Sequence, residues 1–169
     1  VQKIAGDLTK LYPLMQQIDW RADLFVLNPP WALEWYCERL DGLQESSHWG
    51  LRPAFTEWAK THKTIDSTVA TMMLALDRMS SKGEGVLIAN AATMRRLIFQ
   101  ADAPFANLAA SCWAVLKLSG NPMTMREDCK WVKDDEFETA VIFFSRTHHG
   151  GPISQGTCLE AIDSFTGFH

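Results

Sequence analysis

The feature that most constrains this chain is a four-residue apolar run, Leu24-Phe25-Val26-Leu27, stopped by Asn28-Pro29-Pro30. Apolar side chains on both faces of so short a segment suit a buried strand of a parallel sheet. The prolines must end it, because neither has an N–H to give to a ladder. Parallel neighbours need crossover connections, so helices are expected to follow.

Past the prolines, Leu33, Tyr36, Cys37 and Leu40 recur at helical spacing and Gly42 closes that turn. Residues 44–64 have weak periodicity and read as an extended loop or excursion holding Trp49, Arg52, Pro53, Phe55 and Trp58. Asp66 or Ser67 can cap the clearest helix, whose stripe is Val69, Met72, Met73, Leu76 and Met79, with Gly83 as its stop. Gly85 leads into a second buried strand, 86–89, and Asn90 can cap a further helix carrying Met94, Leu97 and Ile98 on one face. Two apolar runs, 113–118 and 139–144, then follow without a strong helix between them. Asn121-Pro122 and the charged stretch 126–136 connect them, which reads as an antiparallel pair. This order predicts an α/β fold with a largely parallel sheet. Residues 1–149 are expected to form it, and 150–169 read as a turn-rich tail or linker.

A length of 169 residues suits one domain with a real core. No apolar stretch is long enough to span a bilayer, and residues 1–9 lack a secretory pattern. The four cysteines make no CxxC pair and no metal-ligand spacing, so they read as reduced thiols of a cytoplasmic protein. The net charge of -4 counts against tight, autonomous DNA binding.

The chemistry sits at Asn28-Pro29-Pro30-Trp31, at the carboxyl end of a buried strand, where open α/β sheets place their ligands. The prolines stiffen the backbone and bring no donor to compete for the carbonyls of Asn28 and Pro29. The Asn28 amide oxygen and the Pro29 carbonyl can together accept both hydrogens of one NH2 group, which holds the nitrogen and favours its change from planar to tetrahedral. Trp31 offers a flat face for a planar base, a stack worth on the order of 1–3 kcal/mol.

The run from Asp23 to Trp31 resembles motif IV, (N/D)PP(Y/F/W), of the class I S-adenosylmethionine-dependent amino-methyltransferases, and is most similar to that of the adenine-N6 DNA enzymes. The resemblance implies a Rossmann-like fold in which the motif-IV strand is followed by a helix, a strand, a helix and a terminal antiparallel hairpin. It also implies S-adenosyl-L-methionine as cofactor, a nucleic acid (DNA first) as partner, and Asn28, Pro29, Pro30 and Trp31 gripping a flipped-out base. Ile4-Ala5-Gly6-Asp7 is similar, more loosely, to the preceding family strand, where an acidic residue contacts the cofactor's adenine; Asp7, with Asn28, is thereby the candidate cofactor-binding residue. The sequence departs from the family in one respect. The Gly-rich cofactor loop and the acidic residue for the ribose belong upstream of Asp7, and the G-x-G at Gly83-Glu84-Gly85 precedes a strand, so it is a turn. The chain is therefore expected to supply the second half of the fold, with the N-terminal strands from a longer chain or a partner. Without a neighbour, strand 24–27 would show an apolar edge.

Other features have plainer readings. The Met stripe is core. Trp35, Trp49, Arg52 and Trp58 either line a nucleic-acid groove or pack the excursion onto the domain, and packing is favoured. Arg95-Arg96 read as a solvated helix face, Asp134-Asp135-Glu136 as a charged turn, and His148-His149 have no partner at metal-ligand spacing. Two alternatives to DNA adenine stay open within the enzyme class, RNA guanine N2 and protein glutamine. A non-catalytic, truncated Rossmann-like binding module is the alternative outside it.

Overall fold

The computed structural model describes residues 20–31, 33–118, 123–125, 131–133, 139–147 and 158–161, with the backbone alone described for 117–118, 123–125, 131–133 and 158–161. The expected run becomes strand β1, Ala22–Leu27, but not the buried strand expected: Phe25 and Leu27 are half-buried on one face while Leu24 and Val26 are exposed on the other. A short strand β2, Glu34–Tyr36, follows and pairs antiparallel with β3, Thr64–Asp66. Between them lie a 3₁₀ helix, Cys37–Glu45, and helix α1, Leu51–Thr61. Helix α2, Ser67–Arg78, leads without a loop into β4, Met79–Asn90. Helix α3, Ala91–Met94, continues as a π-helical turn over Arg95–Phe99, and a 3₁₀ turn, Ala106–Ser111, precedes β5, Cys112–Leu118. A two-stranded ribbon of β6, Met123–Met125, and β7, Trp131–Lys133, separates β5 from β8, Thr139–Ser145, and β9 is Cys158–Ala161.

The main sheet has the order β1-β4-β8-β5-β9. β1 runs parallel to β4, β8 runs antiparallel to both β4 and β5, and β5 runs parallel to β9. Four strands thus point one way and β8 the other, a mostly parallel α/β sheet of Rossmann-like type. The expected antiparallel pairing of the last two apolar runs is present, with Val115 opposite Ile142. The sequence did not reveal that β8 enters between β4 and β5.

Several local expectations are corrected. The helix expected from Leu33 onward is a strand and then a 3₁₀ helix, and Leu33 and Tyr36 are exposed. The buried residues are Cys37, Leu40 and Leu43, spaced by three. That spacing aligns on one face only at three residues per turn, which is the 3₁₀ repeat. The expected loop at 44–64 contains α1, whose buried or half-buried positions Leu51, Ala54, Phe55 and Trp58 follow i, i+3, i+4, i+7. Pro53 falls in its first turn, where its missing N–H has no helical partner to lose. Helix α2 ends at Arg78 instead of Gly83, and Gly83 lies in an irregular stretch of β4 where the register against β1 jumps. A Cβ there would strike Met79 and lie 3.0 Å from the Ala22 carbonyl oxygen. Within the expected tail, β9 adds a strand to the edge of the sheet beside β5.

Helix α2 is the core of the domain, buried along its length from Ser67 to Asp77. Asp66 caps it, its Oδ1 accepting from the N–H groups of Thr68 at 2.8 Å and Val69 at 3.4 Å. Such a cap stabilises by about 1 kcal/mol. The stripe Val69, Met72, Met73, Leu76 packs with Leu87, Ala89, Ile142 and Phe144 from one face of the sheet. The other face carries Leu24 and Val26, 65% and 74% exposed, beside the half-buried Val86, Ile88, Val141 and Phe143. Among the described strands β1 is an edge of the sheet.

Candidate active site at the carboxyl end of β1

β1 and β4 are parallel and in register through Leu27 opposite Leu87, so their carboxyl ends lie at the same rim of the sheet. Asn28-Pro29-Pro30 leaves that rim from β1, with Asn28 and Pro30 exposed and Pro29 buried. Asn90 ends β4 at the same rim, where its amide oxygen caps α3 by accepting from Thr93 N at 3.0 Å.

The proline turn is held from the far side by α2. The Ser67 hydroxyl donates to the Pro30 carbonyl at 2.6 Å, and the Ser67 N–H donates to the Leu33 carbonyl at 2.9 Å. Ser67 is 0% exposed, so the donor end of both bonds is shielded from water. Because Asp66 caps the helix, the Ser67 side chain is available for this reach. Ser67 thus takes up the Pro30 carbonyl. Among the described residues, no hydrogen bond engages the Asn28 side chain or the Pro29 carbonyl, the two acceptors named from the sequence.

These acceptors border a cavity of about 620 Å³. That size is ordinary for a small-molecule or cofactor site. Asn28, Pro29 and Pro30 form one side, Trp35 and Tyr36 from β2 another, and Arg39 from the 3₁₀ helix completes the rim. Trp31 is half-buried and does not line this cavity, so the aromatic faces on its wall belong to Trp35 and Tyr36. The Arg39 guanidinium lies over the Tyr36 ring, 5.8 Å from its centroid. Glu34 also lines the cavity, and its Oε2 accepts from the Thr64 hydroxyl at 2.7 Å across the β2–β3 ribbon.

Of the aromatics weighed for a groove, Trp58 is packed. Its Nε1 donates to the Thr64 carbonyl at 2.8 Å, and its ring stacks on His62 and tilts against Phe105. Trp35 packs against the core and faces the cavity; Trp49 and Arg52 are exposed. Arg95 and Arg96 are exposed, as expected of a solvated face. Asp7, Asp134-Asp135-Glu136 and His148-His149 lie outside the described residues. Sequence reasoning missed Ser67, Tyr36 and Arg39 as site residues. The only signal for the last two was an aromatic followed three positions later by a cation.

At the opposite rim a polar cluster ties the sheet to α2. Arg21 Nη1 donates to the Asp77 carbonyl at 2.6 Å, Arg146 Nη1 to the Met79 carbonyl at 2.7 Å, and the Ser46 hydroxyl to Asp77 Oδ1 at 2.6 Å. The guanidinium groups satisfy carbonyls at and just past the end of α2. His48, 2% exposed, accepts from Gly50 N through Nδ1 at 3.2 Å and meets the Ser111 hydroxyl through Nε2 at 3.3 Å. Burial, reinforced by the nearby Arg146 and opposed by Asp77, lowers its pKa to about 4, so it is neutral. Burial also raises the thiols of Cys37 and Cys112, both free and buried. No helix of the described residues is long and apolar enough to cross a membrane.

No protein-family model matches the sequence. No curated protein matches it either. Among solved structures, the methyltransferase subunit of a type I restriction-modification system from Streptococcus thermophilus aligns at 16% identity over 76% of this chain and 25% of that chain, with a TM-score of 0.49. The ATP-dependent type ISP restriction-modification enzyme LlaBIII, bound to DNA, aligns at 19% identity over 79% of this chain and 10% of that one, with a TM-score of 0.43. The chain thus spans a quarter or less of each of these proteins.

Proposed function

We propose that this chain carries the target-binding half of an S-adenosylmethionine-dependent methyltransferase that modifies an exocyclic amino group, adenine N6 in DNA being the preferred acceptor. One observation carries the reading: Asn28-Pro29-Pro30 stands at the carboxyl end of a parallel strand, on the wall of a ligand-sized cavity, with two acceptors that no described residue engages. The volume and the acceptors at Asn28 and Pro29 fit an uncharged amino group beside a cofactor. S-adenosyl-L-methionine, when bound, supplies the methyl group; Asn28 and, from the family resemblance, Asp7 are the residues of this chain proposed to hold it.

The work of the chain's own residues is positioning. The Asn28 amide oxygen and the Pro29 carbonyl accept the two hydrogens of the target amino group and fix the direction of the nitrogen lone pair. Fixed orientation of this kind supplies much of the rate in a direct transfer; the nitrogen attacks with its lone pair and gives up its surplus proton to water afterwards, so no general base is required before attack. The rigid prolines and the Ser67 bond fix the turn, and with it the direction of the Pro29 carbonyl and the backbone from which the Asn28 side chain reaches. A loose turn would cost part of that advantage in every turnover.

The test is transfer of a radiolabelled methyl group from S-adenosylmethionine to DNA, RNA and glutamine-containing protein, using the full-length protein with Asn28→Ala alongside. Label on adenine in DNA that vanishes in Asn28→Ala supports the reading. Label on RNA guanine or on glutamine moves the activity to another acceptor. No transfer to any acceptor, together with no cofactor binding, leaves a non-catalytic binding module.

A further inference from the structure

Resting on that reading, we infer that Tyr36 and Arg39 form the wall that selects a polynucleotide as the acceptor, Tyr36 stacking on a base and Arg39 taking an adjoining phosphate. The aromatic expected to stack, Trp31, is half-buried and off the cavity wall. The exposed aromatic face that does line the cavity is Tyr36, whose residue surface is 54% open. The Arg39 guanidinium lies 5.8 Å from the ring centroid, within cation–π reach, so the aromatic and the cation border the cavity side by side. A guanidinium is planar, and its N–H fork can grip a phosphate with two hydrogen bonds.

Charge points the same way. Among the described residues Arg39 is the one cation lining this cavity, and it makes no ion pair with them. Glu34, the acid on the same wall, receives a hydrogen bond from Thr64 across the ribbon. In a chain of net charge -4, with the Glu34 carboxylate on the same wall, the attraction this rim has for an anion is local to the Arg39 guanidinium. A glutamine side chain offers neither an extended ring to Tyr36 nor a phosphate to Arg39. A nucleotide within a strand offers both, and every base has a face to stack, so this wall selects nucleic acid without selecting sequence.

The experiment is fluorescence anisotropy of a labelled single-stranded oligonucleotide, as DNA and as RNA, titrated with the full-length protein over a range of salt. Methyl transfer to the same strands and to a glutamine peptide is measured in parallel. Removing one phosphate contact from a single strand should reduce the slope of log K against log salt by about 0.7, so Arg39→Gln should flatten it by that amount and Arg39→Lys should not. Tyr36→Leu should weaken binding by roughly 5- to 150-fold with the slope unchanged, and Tyr36→Phe should bind as the unaltered protein does. An Arg39→Gln slope equal to wild type, or undiminished binding by Tyr36→Leu, overturns the inference. If DNA methylation depends on Asn28 but not on Tyr36 or Arg39 at limiting DNA, the wall falls and the proposed activity stands. If no acceptor is methylated yet binding follows the pattern above, the wall stands and the activity falls. Methylation of the peptide alone overturns the wall as well.

Discussion

Replacing Gly85 by Ala tests the packing that supports the site. Gly85 is paired with Phe144 across β4 and β8, and Phe144 is fully buried with its ring against the glycine. A Cβ at Gly85 would fall on Phe144 Cζ and lie 2.6 and 2.7 Å from the two Cε atoms. These separations are about an ångström inside ordinary carbon contact, so the ring must move. It has little room, because Leu87 and Ile142, from the same two strands, are also fully buried. Overpacking of this kind costs about 1–3 kcal/mol. Against it, alanine gains roughly 0.5–1 kcal/mol over glycine in strand entropy. The clash wins, leaving a net loss of about 1–2 kcal/mol, or a fall in Tm of roughly 2–8 °C for a chain of this size. Urea and thermal unfolding of Gly85→Ala, Phe144→Leu and the double variant form the assay. The smaller leucine should relieve the clash, so the double variant should be more stable than the sum of the single losses by about 1 kcal/mol. A Gly85→Ala protein melting at or above wild type, or strictly additive losses, would refute the reasoning.

Other outcomes follow from single contacts. Ser67→Ala removes the bond to Pro30 and should lower kcat more than it raises KM, by about 2- to 10-fold overall, because a bond of this kind is worth about 0.5–1.5 kcal/mol; Ser67→Thr should recover part of the loss, and equal activity in Ser67→Ala would remove its positioning role. His48 has a folded pKa near 4 against an ordinary 6.5, so the unfolded chain takes up a proton first as pH falls. Stability should therefore decline from about pH 6.5 down to about pH 4, and His48→Gln should flatten that part of the urea-midpoint profile; an unchanged profile would show that His48 is not the group responsible.

What the sequence revealed depended on how local each cause was. The β1 strand and its proline stop could be read because both follow from adjacent residues. The Asp66 and Asn90 caps were equally local. Helix α1 was missed because its stripe, Leu51-Ala54-Phe55-Trp58, is short, interrupted by Pro53 and preceded by Trp49, which hides where the apolar face begins. The 3₁₀ helix was missed because Leu40 fits either a 3.6 or a three-residue repeat, and only Leu43 decides between them. At the site, Asn28-Pro29-Pro30 carried its own signal. Ser67 could not, since its bond to Pro30 spans a whole crossover. The choice between Trp31 and Tyr36 as the aromatic facing the cavity was equally hidden. It rests on the β2–β3 pairing, which brings together residues some thirty positions apart.

The place of β8 bears on how this molecule is made. β4 leaves the ribosome well before β8, yet β8 is its neighbour in the sheet, so the edge that β8 will occupy stands open during synthesis. β5, also made earlier, cannot take that position without excluding the later strand. Sheet closure therefore waits for residues near position 140, and pairings of such long range close slowly. Through that interval the nascent chain shows an apolar strand edge, the surface that holdase chaperones and sister chains seek. Yield of this protein in cells should thus respond to translation speed across 119–138, the segment that sets how long β4 waits.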